Sequence, residues 1–177
     1  MMKKLFILCS VFLFAACASI NVDYDYDTKV DFSTYKTYNT YPEMNSGLSE
    51  LDEDRLLDAL DENLQQTKGF QVADAPDVFI NISSSLYQQD HTNTVGVGVG
   101  GGGNHVGGGI SIGLPIGQPK INRVIVFDMI DARTKTLLWQ AKSKVFLKPN
   151  LSAEEKTALF KKVIDKVFSG YPPSNQN

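Results

Sequence analysis

The chain has 177 residues, 42% of them apolar and 21% charged, with a formal charge of −3, which suits one domain with a single core. Its pI near 5.3 excludes the class that grips nucleic acid by neutralising phosphates, since such proteins carry more Lys and Arg than acid. A mean hydropathy of −0.16 with 10% aromatic residues supplies enough buried surface to offset chain entropy and excludes wholesale disorder.

Met1 to Lys4 form a short cationic start, and Leu5 to Phe14 is a ten-residue apolar run interrupted by Cys9 and Ser10. Ala15, Ala16 and Cys17 follow. This order of charge, apolar run and small residues describes a secretory signal peptide over residues 1–16. Crossing hydrocarbon takes roughly 20 apolar residues, and the run falls short even when extended to Ile20. Phe14-Ala15-Ala16-Cys17 resembles the bacterial lipobox, with Phe14 where that pattern prefers Leu. In a lipobox the cysteine is acylated and becomes the new N-terminus; ordinary cleavage beside a bystander Cys17 is the alternative. Cysteine arithmetic favours acylation, because Cys9 leaves with the leader and Cys17 is then the one remaining thiol. Each buried methylene contributes about 0.8 kcal/mol, so two or more chains hold a protein to its bilayer. By resemblance to the diderm sorting rule, Ala18 rather than Asp after the cysteine points to the outer membrane, with the domain facing the periplasm.

Residues 17–177 read as one domain with a glycine-rich insertion at 94–118. From Cys17 to Asp90 the charge is −11 and from His91 to Asn177 it is +6, which places acidic and basic elements side by side. Val22, Tyr24 and Tyr26 alternate with Asp23, Asp25 and Asp27, the period of a half-buried strand. A turn at Thr28 to Ser33 and a Thr/Tyr pattern through Tyr41 predict a second strand, paired with the first as a hairpin. Ser49 with Asp52 and Glu53 starts a helix carrying Leu56, Leu57, Leu60 and Leu64, closed by Lys68-Gly69 with Phe70 folding back. Val78, Ile80, Ile82 and Leu86 mark a long strand. Val124 to Ile130, a turn at Asp131 to Lys135 and Thr136 to Leu147 make a central hairpin with Leu137 and Trp139 inward. Ser152 then caps a helix with Leu159, Phe160, Val163, Ile164, Val167 and Phe168 on one stripe, stopped by Gly170 and Pro172. The order predicts an α+β fold: a mostly antiparallel sheet of five to seven strands with two helices on one face.

Eleven of the 14 glycines fall between Gly96 and Gly117. Val95, Val97 and Val99, then Ile110, Ile112, Leu114 and Ile116, alternate with residues that are mostly glycine. Three readings stand: a weakly stable hairpin extending the core sheet, a mobile loop, or a sticky surface for a partner or the bilayer.

No motif supplies a catalytic set. Gly96-Val97-Gly98-Val99-Gly100-Gly101 matches G-x-G-x-x-G, yet more glycine follows where a phosphate-holding helix must open. Asp23, Asp25, Asp27 and Asp31 have calcium-loop spacing, but Thr28 and Thr34 occupy the places of the required Gly and Glu. His91 and His105, without a thiol, are too few for a zinc site. Asp54, Asp58, Asp61 and Glu62 read as the wet face of a helix. Asp128 is the residue to watch, because it shares a strand face with Val124, Val126 and Ile130 and there needs a partner or a raised pKa.

Asp23-Tyr24-Asp25, Asp31-Phe32-Ser33-Thr34-Tyr35-Lys36-Thr37-Tyr38, Lys68-Gly69-Phe70, Pro76-Asp77-Val78, Val126 to Ala132, Leu138-Trp139 and Tyr171-Pro172 come in an order that resembles the bacterial lipoproteins of domain of unknown function 4136. Asn39 and Thr40 stand where that family often has Trp. The resemblance implies a two-layer α+β envelope lipoprotein and brings no activity, ligand or catalytic residue. The expectation is therefore a non-enzymatic module, acylated at Cys17, without cofactor or metal and without nucleic acid. It would meet the membrane through its anchor and an envelope protein or glycan through its sheet or hairpin, its oligomeric state left open. A hydrolase using Asp128 with a second acid, and self-assembly through the glycine-rich edge, are the alternatives.

Overall fold

The computed structural model describes residues 20–89, 94–96, 113–115, 120–146 and 150–173. The leader, Cys17, both histidines and residues 97–112 lie outside the described residues. The strands are β1 (Asn21–Tyr26), β2 (Thr37–Thr40), β3 (Gln71–Val72), β4 (Val78–Gln89), β5 (Thr94–Gly96), β6 (Gly113–Pro115), β7 (Lys120–Asp131) and β8 (Leu137–Phe146), with helices α1 (Glu50–Glu62) and α2 (Ala153–Phe168). Six strands form one sheet in the order β1-β8-β7-β4-β2-β3; β5 and β6 form a separate two-stranded ladder. Within the sheet, β1-β8, β8-β7 and β7-β4 are antiparallel, while β2 runs parallel to both β4 and β3. The expected mostly antiparallel α+β fold is what the chain adopts.

Strand parity decides which residues meet the helices. Val78, Ile80 and Ile82 of β4, Ile125, Phe127 and Met129 of β7, and Trp139, Ala141 and Val145 of β8 are buried on one side with Leu56, Leu60 and Leu64 and with Phe160, Val163, Ile164, Val167 and Phe168. Burying a side chain of this size contributes about 1.5–3 kcal/mol relative to leaving it in water. Ser152 caps α2 with a reciprocal capping box to Glu155. At the end of α1 the last turn widens into a π-helical stretch, Asn63–Thr67, which lets the Asn63 Nδ2 donate to Asp165 of α2 at 2.9 Å. Gly69 follows at φ +73°, and Phe70 folds back, donating its N–H to Leu64 O. The charge asymmetry resolves between the helices, where Lys156 pairs with Asp52 at 3.1 Å and Lys161 pairs with Glu62.

Two expectations are corrected. The first two strands are not a hairpin: β1 lies at the sheet's edge against β8, and β2 pairs with β4 at the other side. The intervening turn does not reverse the chain, because Phe32 in the short 3₁₀ segment Phe32–Thr34 is buried against Tyr171, ring centroids 5.7 Å apart, carrying the chain across the sheet's end. The Asp77 carboxylate then accepts the N–H groups of Lys36 and Thr37, each at 2.9 Å, and aligns β2 with β4. Leu137 also does not point inward; it is 50% exposed, and its neighbour Leu138 is buried. A bulge between Met129 and Ile130 shifts the register, so that Trp139 opposes Met129 while Leu137 opposes Ile130.

Candidate functional site

Because both helices cover one side, the other side of the sheet is open among the described residues. Across it the register assembles a polar row and a mostly polar one from four strands: Asn81, Asp128, Gln140 and Asp25 are successive partners, as are Ser83, Val126, Lys142 and Asp23. Asp128 stands in the first row, half-buried, and Gln140 donates to its Oδ1 at 2.7 Å. The partner that the sequence demanded for Asp128 is thus an amide on the adjacent strand. Full enclosure does not occur, since Asp128 shares with Val124, Val126 and Ile130 the side without helices, where all four are half-buried. Lys142 is exposed, and Lys144 on the same strand reaches Asp23 at 3.1 Å.

At the end of the sheet where β4 begins and β7 stops, Thr34, Tyr35, Pro76, Asp77, Asp131 and Arg133 line a cavity of about 380 Å³. Tyr35 donates its hydroxyl to Asp131 Oδ2 at 3.2 Å, while Asp131 Oδ1 accepts the N–H groups of Arg133 and Thr134 at 2.9 and 2.7 Å. Hydrogen bonds from Thr134 hold the Asp131 carboxyl below the usual range, and those from Lys36 and Thr37 do the same for Asp77. Burial, then the bond and charge of Asp131, push the Tyr35 phenol up. Both carboxylates are kept ionised and engaged with main-chain donors, an arrangement suited to tying loops to strands rather than to passing protons.

The opposite end carries a second polar group of residues. Arg123 Nη1 donates to Ser84 Oγ at 2.6 Å and to Gly47 O at 3.0 Å; Ser84 donates to Ser46 O at 2.6 Å, and Ser46 donates to Glu53. This network ties the loop before α1 to β4 and β7. Neither group was legible in local pattern, since a loop carbonyl or an amide partner some 40 residues away leaves no periodic signal; the one cue was an Asp at a strand start beside Pro76.

The motifs behind the family resemblance converge on two places. Asp31 to Thr37, Pro76-Asp77-Val78 and Asp131-Ala132 meet at the end cavity. Lys68-Gly69-Phe70, Leu138-Trp139 and Tyr171 meet in the aromatic core, where Tyr171 lies 5.7 Å from Trp139 and 5.8 Å from Phe70 and its carbonyl accepts from Lys68 Nζ. Among the described residues no three or more His, Cys, Asp or Glu side chains gather to hold a metal ion, and no helix is long and apolar enough to cross a membrane.

The fold is thus a two-layer α+β domain with one sheet face uncovered among the described residues. Residues 22–173 match the family described as Domain of unknown function (DUF4136), and the chain belongs to that family. No curated protein matches the sequence. A crystal structure of a PDZ domain protein from Parabacteroides distasonis superposes with a TM-score of 0.57 at 12% identity. The likeness covers 88% of this chain but 37% of that one, so this domain spans about a third of that protein's length, and the likeness is one of fold. Two crystal structures of the PelC dodecamer from Paraburkholderia phytofirmans cover 86% and 85% of this chain and 96% of that one, at 10% and 11% identity and TM-scores of 0.46 and 0.41.

Proposed function

We propose that this protein is a lipid-anchored envelope lipoprotein, exported by residues 1–16, acylated at Cys17 and held at the outer membrane on its periplasmic side. There it acts without catalysis, binding or bracing another envelope component. The observation that carries the binding reading is the open sheet face, a platform four strands wide whose polar rows include exposed Lys142, Asp23 and Asp25. The non-catalytic reading draws support from Asp77 and Asp131, whose carboxylates are occupied by main-chain N–H groups, and from Asp128, whose bonded partner is an amide. Intact-mass analysis of the natural product tests the anchor: a chain beginning at Cys17 with two or three acyl groups is expected, and a bare thiol or a retained leader refutes it. In-cell photo-crosslinking tests the platform: a probe at Lys142 is expected to capture a defined envelope neighbour that a probe at Lys162, exposed on α2, does not. Equal capture from both positions refutes the open face as the binding surface.

A further inference from the structure

We propose that the cavity at the end of the sheet is a ligand site for a compact zwitterion, the head group of an α-amino acid, with Asp77 bonding the ammonium beside the charge of Asp131 and the Arg133 guanidinium bonding the carboxylate. The site is separate from the open sheet face and does not depend on what binds there or on the anchor.

The cavity brings opposite charges to one space without joining them. Asp77, Asp131 and Arg133 all line it, yet among the described residues the Arg133 guanidinium pairs with no carboxylate. Main-chain bonds are the reason. Asp77 Oδ2 takes the N–H groups of Lys36 and Thr37, each at 2.9 Å. Asp131 Oδ1 takes those of Arg133 and Thr134, and its Oδ2 takes the Tyr35 hydroxyl, so no forked edge remains for a guanidinium. The turn carrying Arg133 is itself fixed, since Ala132 donates to Asp77 O and Lys135 donates to Asp131 O, both at 2.9 Å. Both carboxylates are thus pinned in place, and the guanidinium stands exposed beside them. A ligand that carries both charges compensates both sides at once.

The bonding capacity fits that class of ligand. A carboxylate has about four acceptor positions, and both main-chain donors to Asp77 fall on Oδ2, so Oδ1 can accept from an ammonium. Asp131 lies close enough for its charge to act on Asp77, and hydrogen bonds keep both ionised. Two negative charges against one positive disfavour a lone anion, while a lone cation leaves Arg133 unmatched. Arg133 offers a planar fork suited to a carboxylate. The half-buried Tyr35 ring and Pro76 give apolar surface for the carbon that bears the two groups. A volume of about 380 Å³ is at the small end of ligand pockets, which run from roughly 300 to 1,000 Å³, so it admits a head group with a short side chain rather than a length of polymer. The head group has two sources, a free amino acid or one joined to a polymer through its side chain with both α groups left free.

The test follows amide NMR shifts of the isotope-labelled full chain in detergent as norleucine, pentylamine and hexanoate are added. Pentylamine is norleucine without its carboxylate, and hexanoate is norleucine without its ammonium. Norleucine is expected to shift the amides of Lys36, Thr37, Arg133 and Thr134 and to bind at least about tenfold more tightly than either fragment. Nε-acetyl-lysine, blocked at its side chain as a polymer linkage would block it, separates the sources. Binding as tight as that of norleucine supports a site open to a side-chain-linked amino acid; weaker binding supports one restricted to the free form. Arg133→Gln keeps the main-chain bond to Asp131 and is expected to lower norleucine to the affinity of pentylamine, with the rest of the spectrum unchanged. Should that variant disturb the turn, Arg133→Lys keeps the charge without the fork and is expected to fall between the two. Absence of shifts at these four amides overturns the site. Hexanoate or pentylamine binding as tightly as norleucine, or unchanged norleucine affinity in Arg133→Gln, overturns the zwitterion as its ligand.

Discussion

Phe168 of α2 is fully buried, stacked on Trp139 with ring centroids 5.5 Å apart and edge-on to Phe127 at 6.3 Å. It joins the helix layer to two strands of the sheet, so Phe168→Ala removes a ring where little can collapse into the space. Phe-to-Ala changes in well-packed cores cost about 3–5 kcal/mol, combining lost transfer energy with the residual cavity. A value of about 4 kcal/mol is a large part of the roughly 5–15 kcal/mol that holds a domain together. With an m-value of about 2 kcal/mol per molar urea, the unfolding midpoint should fall by about 2 M. Trp139 is the chain's single tryptophan and is 1% exposed, so its fluorescence follows the transition at the mutated contact itself. Leu51→Ala, at a site 64% exposed, serves as the control and should change stability by no more than about 0.5 kcal/mol. A Phe168→Ala midpoint equal to that of Leu51→Ala would refute the placement of α2 against the sheet.

Four other outcomes can be checked with the same domain. Gly47→Ala forces a non-glycine residue to φ +67° and puts a Cβ 2.9 Å from the Ser84 carbonyl oxygen, so it should cost about 2 kcal/mol or more in thermal unfolding. Gly69→Ala, at φ +73° with open space around it, should cost closer to about 1 kcal/mol, and the reverse order would contradict the loop geometry. Gly170→Ala would place a Cβ 2.5 Å from the Tyr24 ring, displacing the tyrosine whose hydroxyl donates to Lys166 O at 2.8 Å; amide exchange in β1 should quicken while the β7-β8 pairing stays protected. Asp31, Asp77 and Asp131 are all held below an ordinary value near 3.8 by hydrogen bonds. Groups lowered in the folded state stabilise it fully above the unfolded value and lose that contribution as pH falls through the folded values. Urea midpoints should therefore stay level near neutral pH and decline below about pH 4, and Asp77→Asn should flatten that decline; an unchanged acid limb would remove Asp77 from the account.

Much of the architecture was legible because period and caps are local. Ser152 before an apolar stripe marked α2, Gly69 before Phe70 marked the end of the first helix, and Asp131 to Lys135 marked the β7-β8 turn, whose Lys135 adopts φ +60°. What the sequence misjudged was pairing. The turn residues from Thr28 to Ser33 have hairpin chemistry, yet burial of Phe32 and the Asp77 bonds to Lys36 and Thr37 outweigh it. Leu137 fits the inward parity of a strand, yet one bulged residue pair sends it outward. For Asp128 the sequence identified a carboxylate needing a partner but not Gln140, which adjoins it only through the β7-β8 register.

The amino-acid order by itself determined the class of fold, the helices with their caps and the apolar faces, because each depends on residues a few positions apart. Its first residues likewise carry the whole chemical case for an anchor at Cys17. Only the tertiary structure decided that β1 and β2 stand apart, that Tyr35, Asp77 and Asp131 share one cavity, and that Arg123 reaches Gly47 and Ser84. Those relations join residues tens to more than a hundred positions apart through strand register and core packing, and no local spacing encodes them.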